Sequence, residues 1–317
     1  MNRTTLTRVS PANSRRLDEF FNDTEIREVM VNSGEVWIER NGQLEHVDTI
    51  AETDTRSFIE RTLLPLGRRI DITSPIVDAR LNDGSRMCAV IPPIAVDGPC
   101  LSIRRFSAKQ ITLKDFACLE VVEILQQLVF DRRNILVSGA ASAGKTTLLN
   151  SLCNCLASNE RIVTIEDIAE LALAHRHVVR LEARPSNPDG DLEVSTRALV
   201  RTALRLRPDR LIIGEVRGTE TLDMLSAMNT GHDGSMSTIH ANSARDALRR
   251  VESLVLQHAA NWSREVVKEH VANSINVVVH VAKNINGDRF VQEILQVEPG
   301  SLRQVVAEAR VMHEAIQ

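Results

Sequence analysis

Apolar positions recur with two different periods along this chain, and the change of period marks a boundary. Short alternating runs at residues 28–32, 35–40 and 43–47 read as strands. Ser33-Gly34 joins the first two, and Asn41-Gly42, a strong type I′ turn pair, joins the next. A short helix over 15–21 precedes them. A helix over 53–64 follows and ends near Pro65 and Gly67. Asn82-Asp83-Gly84 joins two further strands, the second over 86–91, and 101–106 is another candidate. Residues 1–14 are polar and read as a flexible N-terminus, 15–106 as a small α+β domain, and 107–112 as a linker.

Beyond the linker the period becomes helical. Thr112 to Asp115 has the form of a capping box and opens a helix predicted to run to about Val129. Short β-rich apolar runs at 134–137, 161–165, 178–181, 210–213 and 237–239 then alternate with helical stretches. That alternation predicts an α/β domain over 113–317, built on a mainly parallel sheet with helices on both faces. Runs at 274–281 and 289–297 flank Asn286-Gly287 and predict a late hairpin at a sheet edge.

Composition narrows the function classes. The 317 residues carry a net charge of −4, contain no Tyr, and are 3% aromatic. That balance gives no basic surface for coating nucleic acid and no aromatic platform for stacking bases, so no direct nucleic-acid partner is expected. The five cysteines (Cys88, Cys100, Cys118, Cys153 and Cys155) match no zinc spacing and read as the small apolar residues of a reduced, cytosolic protein. Residues 1–8 lack the apolar core of a signal peptide, and no run approaches the length of a membrane span. Any membrane contact is expected to be peripheral and through partners.

Candidate chemistry starts at Gly139, Ala140, Ala141, Ser142, Ala143, Gly144, Lys145 and Thr146. This is a complete phosphate-binding loop, G-x-x-x-x-G-K-[ST], preceded by an apolar strand and followed from Thr147 by a helix carrying Leu148, Leu149, Leu152 and Leu156. Backbone N–H groups of such a loop cradle phosphates, Lys145 neutralises the β/γ charge, and Thr146 ligates Mg²⁺. Alone the motif says NTPase or kinase, with ATP and Mg²⁺ as the ligands.

Other residues add to it. Glu215 ends the apolar run 211–213 after Gly214, which stands where an Asp is usual, so Glu215 is expected to act on Mg²⁺ through water. Glu166 and Asp167 end another strand, and either polarise water or form a plain loop pair or helix cap. His232 and His240 bracket a glycine-rich stretch and are either phosphate contacts or structural. Arg197, Arg201 and Arg205 form one helical stripe. For Arg197 a solvated face with a partner such as Glu193 is preferred, and for the other two a subunit contact stays open. Arg86 and Arg104 lie on strands of the first domain.

Five segments together, 92–106, 139–146, 164–167, 206–218 and 227–243, resemble the hexameric ATPases of type II and type IV secretion and pilus assembly. Within them the chain looks most similar to the CpaF-type ATPases of tight-adherence pili. The resemblance covers roughly residues 15–300. It implies a RecA-like P-loop NTPase domain after a smaller α+β domain, with six copies in a ring at the cytoplasmic face of the bacterial inner membrane, under a platform protein. It also implies Glu166 as general base beside Asp167, Glu215 as the second acid, and His232 and His240 as couplers of the γ-phosphate to conformation. Arg86 and Arg104, with Arg105 a weaker third, would reach the phosphates across an interdomain cleft. The chain departs from the pattern in lacking a long helical N-terminal extension and a tetracysteine zinc segment. The latter argues against the type II branch.

Overall fold

The computed structural model describes residues 12–40, 42–105, 111–184, 193–259, 261–298, 300–307 and 310–311. Most of the expected flexible N-terminus, Asn41 of the turn pair and most of the expected linker lie outside the described residues. The described residues divide into two compact units, one up to residue 105 and the other from 111 onward.

In the first unit, α1 (Ala12–Asn22) begins three residues earlier than the pattern predicted. It is followed by β1 (Ile26–Asn32), β2 (Glu35–Arg40), β3 (Gln43–Thr49), α2 (Glu52–Leu63), β4 (Ile76–Arg80), β5 (Arg86–Val90) and β6 (Cys100–Arg104). The strands form one antiparallel sheet in the order β3-β2-β1-β6-β5-β4. Alternation decides which face is covered. Val29, Val31, Val36, Ile38, Met87, Ala89, Leu101 and Ile103 point inward against Leu17 of α1 and Phe58, Ile59 and Leu63 of α2. Each buried Val, Leu, Ile, Met or Phe among them contributes about 1.5–3 kcal/mol of transfer free energy. The opposite face carries the polar alternates, the usual arrangement when helices cover one side only.

The second unit opens with Thr112 and Asp115 in a true capping box, but the box caps a single 3-10 turn. The long helix is separate: α3 (Leu119–Phe130) starts after Cys118. Then come β7 (Ile135–Gly139), α4 (Lys145–Cys153), β8 (Ile162–Glu166), β9 (Val178–Glu182), α5 (Thr196–Ala203), β10 (Arg210–Ile213), α6 (Glu220–Met228), β11 (Met236–His240), α7 (Ala244–His258), α8 (Arg264–Ser274), β12 (Val277–Lys283), β13 (Arg289–Glu298), β14 (Ser301–Ala307) and β15 (Arg310–Val311). The sheet order is β15-β14-β13-β12-β7-β11-β10-β8-β9. The pairs from β12 through β9 are all parallel, and the three beyond β12 are antiparallel.

Two expectations need correction here. Ser274 closes α8 and does not open a strand, and the late hairpin is not at the edge. β12 pairs with β7 in the centre, and β14 continues the sheet past β13. The physical reason is two-sided burial: Val277, Val278, Val279 and Val281 are all buried, because helices cover both faces there. α5, α6, α7 and α8 pack on one face, and α3 and α4 on the other. α4 also ends sooner than predicted, with Leu156 beyond its last turn but still buried.

Candidate nucleotide-binding site

A parallel sheet directs every strand's carboxyl end to one edge. There, β7 runs into the loop 140–144 and α4 starts at Lys145. Gly144 precedes it at φ +98°, a conformation L side chains rarely adopt. No side chain caps α4, whereas Ser195, Ser243 and Ser263 cap α5, α7 and α8. The N-terminus of α4 therefore presents its backbone donors to whatever occupies the loop.

Lys145 is buried and folds back over the loop. Its Nζ donates to the Ala140 carbonyl at 3.0 Å and lies 3.1 Å from His240 Nδ1. An ammonium can only donate, so Nδ1 accepts and the imidazole proton sits on Nε2. Burial pulls the pKa of both groups down, with the Glu215 charge opposing. His240 Nε2 faces Glu215 Oε1 at 3.0 Å, outside hydrogen-bonding alignment. Glu215 Oε2 accepts from Arg217 Nη2 at 2.7 Å. Burial pushes the Glu215 carboxyl up, but Arg217, His240 and Lys145 together hold it below its ordinary value. The register explains the grouping: His240 lies opposite Gly139, and β10 delivers Glu215 just past Ile213.

Glu166 ends β8 at the same edge and is buried. Oε1 accepts from the Glu170 and Leu171 N–H groups at 2.9 and 3.0 Å, while Oε2 is buried without a partner. Burial raises its pKa to about 7 against the pull of those N–H groups and of Arg180. The side chain lies in space left by Gly214, where an added Cβ would fall 2.8 Å from Glu166 Cγ. The missing Asp of the second motif and the buried Glu166 are thus one arrangement. Asp167 is exposed. It accepts from Thr196 at 2.6 Å and caps no helix.

The other expected residues divide. His232 is not brought to the loop. It precedes β11, whose amino end is at the opposite edge, about 13 Å from His240 at ~3.3 Å per residue. Its carbonyl accepts from Ser235. Arg197 and Arg201 both bind Asp223 of α6, at 2.6 and 2.8 Å, so the stripe braces α5 against α6 rather than reaching Glu193. Arg105 is used within the first unit, where it donates to the Asp23 carbonyl and lies over the Phe21 ring.

Arg86 and Arg104 are directly opposite each other across β5 and β6. Arg80 continues the row on β4, opposite Arg86, and the Arg80 Nε is buried without a partner. At the other end of the row the acid Glu28 of β1 stands opposite Arg104. Sequence reading missed Arg80. The signal was available in the Asn82-Asp83-Gly84 turn, which sets Arg80 against Arg86.

The residues fit a magnesium triphosphate. The left-handed turn at Gly144, the Lys145 ammonium and the unpartnered Glu166 oxygen lie at one edge, with Thr146 at the start of α4. Among the described residues no cluster of His, Cys, Asp or Glu could hold a metal by itself. An ion here would share its coordination with phosphate oxygens, the usual arrangement for Mg²⁺. Also among the described residues, no helix is long and apolar enough to cross a membrane.

Known proteins resemble this chain over most of its length. A family model described as "Type II/IV secretion system protein" matches residues 13–312. A putative conjugal transfer protein of Mycobacterium tuberculosis is 38% identical over 275 residues, covering 82% of this chain and 77% of that one. The conjugal transfer protein TrbB of Rhizobium radiobacter is 32% identical over 287 residues, covering 87% and 85%. Among solved structures, the VirB11 ATPase from the Brucella suis type IV secretion system is 26% identical with a TM-score of 0.51, covering 90% of this chain and 94% of that chain.

Proposed function

This chain belongs to the type II/IV secretion system family and is an ATPase of it, and from that premise we propose that it is the hexameric motor of a pilus-assembly or secretion machine. The observation that carries the chemistry is the continuous contact from Lys145 through His240 to Glu215, beside the buried carboxyl of Glu166.

Each residue then has a task. The loop 139–144 and the first N–H groups of α4 bind the phosphates. Lys145 neutralises the terminal phosphate and moves from the Ala140 carbonyl to do so. His240, neutral with its proton on Nε2, donates to the terminal phosphate or to Glu215 as that phosphate comes and goes. Magnesium supplies charge neutralisation at the phosphates, and Thr146 and Glu215 are the residues that would hold it, the latter through water. Glu166 accepts the proton of the attacking water at Oε2, and a pKa near 7 suits a general base at neutral pH.

The finer reading is a CpaF-type tight-adherence pilus ATPase, working at the cytoplasmic face of the inner membrane against a platform protein. A second reading, transfer of DNA by conjugation, is favoured by the relatives named for conjugal transfer. One experiment separates them. Lys145→Ala is introduced in the native host, and surface pili and plasmid transfer are scored together. Loss of pili alone supports the first reading, and loss of transfer alone supports the second. Purified protein that shows no magnesium-dependent ATP turnover would sink both. Mass photometry with ATP checks the ring: a six-fold mass is expected, and a monomer at all concentrations counts against it.

A further inference from the structure

β12 flanks β7 on the side away from β11, and it carries a polar residue where its neighbours are apolar. Val277, Val278, Val279 and Val281 are buried, and among them stands His280, only 5% exposed. On β7 the run Ile135, Leu136 and Val137 is likewise followed by one buried polar side chain, Ser138. The register sets His280 and Ser138 directly opposite each other. Ser138 Oγ and His280 Nδ1 share a hydrogen bond of 2.9 Å, with both residues buried. Burial pulls the His280 pKa down, with Asp246 of α7 opposing and Lys145 of α4 adding to the pull, so the ring is neutral at neutral pH. No step of the ATPase chemistry described above uses this pair.

Its position is what gives it meaning. Ser138 is the residue before Gly139, where the phosphate loop begins. Gly139 lies opposite Val281, and a Cβ added to it would fall 2.5 Å from the Val281 carbonyl oxygen, 3.3 Å from Ala143 Cβ and 3.5 Å from Lys145 Cγ. The backbone of β12 is therefore packed against the start of the loop, close to the stem of its lysine. On the other side of β12 the ladder is interrupted at the same point. Pairing with β13 passes from His280 and Glu293 to Val281 and Val291, which leaves Gln292 unmatched in a bulge. Stability alone does not call for a polar pair here. Two apolar residues of the same shape would be about as stable, whereas losing one partner strands the other. What the pair adds is a directional bond that fixes β12 against β7 at the residue where the loop starts.

We propose that His280 is a positioning residue for nucleotide binding: through Ser138 it sets the entry of the phosphate loop, so that the grip on the phosphates depends on a hydrogen bond outside the site. That role rests on the ATPase reading and deepens it. It assigns the β12 flank a part in the site that no group on the β11 side performs.

The test is a double-mutant cycle read by direct titration with magnesium ADP. Ser138→Ala and His280→Ala are each expected to weaken ADP about tenfold, the scale of one buried hydrogen bond. The double variant is expected to bind within about twofold of either single one, because both changes break the same bond. His280→Asn, whose amide can stand near the place of Nδ1, is expected to stay within about threefold of the parent. KM for ATP should rise with the ADP Kd, with the larger share of the effect in KM rather than kcat. A role confined to stability would instead lower the urea midpoint and leave the ADP Kd where it was. Parental ADP affinity in Ser138→Ala overturns the proposal. So do losses that multiply in the double variant, which would mean that the two residues act separately. Should His280→Ala fail to fold, Ser138→Ala and His280→Asn decide between them: a loss in the first and retention in the second supports the role, and any other pairing overturns it. If the parent protein itself binds no ADP, it is the ATPase reading that fails.

Discussion

The two edges of the second unit's sheet use similar residues to opposite ends. At the amino edge the buried pair Arg210 and Glu160 is matched, although His232 Nδ1 is buried there without a partner. Arg210, buried at the start of β10, donates to Glu160, to the Gly234 carbonyl and to the Val129 carbonyl at 2.9, 3.2 and 3.1 Å. Glu160 also takes Arg132 at 2.6 Å, and Asn134 ties the turn before β11 to the end of α8. At the carboxyl edge the matching is incomplete. Glu166 keeps a buried oxygen without a partner, and Glu215 faces His240 without alignment. A saturated polar network fixes geometry, and an unsaturated one of the same composition waits for a ligand. Burial alone does not separate Glu160 from Glu166; hydrogen-bond completeness does.

Substitutions can break that contrast. The largest effect is expected from Glu166→Gln, which keeps the shape but removes the base: a loss of about 10²–10⁴-fold in ATP turnover, measured by phosphate release. Turnover at the parental rate would strip Glu166 of its role. Lys145→Ala is expected to cost on the order of 10²–10³-fold, with folded protein by circular dichroism. At the other edge, Arg210→Ala leaves Glu160 without its buried partner and is expected to destabilise by about 3 kcal/mol in urea unfolding. A change below about 1 kcal/mol would mean that the saturated network is not what holds that edge.

The pH dependence sharpens the comparison further. Glu166 titrates near 7 in the folded chain against an ordinary 4.5. Turnover should therefore fall about tenfold per unit below pH 7 as the base is protonated. Stability should move the other way. A raised carboxyl pKa means that the folded state binds the proton more tightly. This contribution is full below about 4.5 and is lost as pH rises to about 7. Glu166→Gln should flatten that slope in thermal melts taken between pH 5 and 8.

Much of the carboxyl edge was legible in the sequence because its signals are local. The loop, its strand and its helix are contiguous, and Glu166 and Glu215 each end an apolar run. What was not legible depends on strand length and sheet order. His232 and His240 are close in sequence, but β11 intervenes and sends them to opposite edges. His280 meets Ser138 from a strand far along the chain, which no spacing rule connects. The inner place of β12 was readable in principle. Its valines run without polar alternation, the mark of a strand covered on both faces. Arg80 was hidden differently, since an arginine on a strand means little until pairing sets it opposite another.

The contact between Glu166 and Gly214 has a consequence for variation. The end of β8 and the end of β10 share one vacancy, large enough for a single carboxylate-bearing side chain. Either strand can fill it, but not both. Installing Asp at 214 should be tolerated only when residue 166 is first cut back to Gly or Ala, so the two positions can change only as a linked exchange.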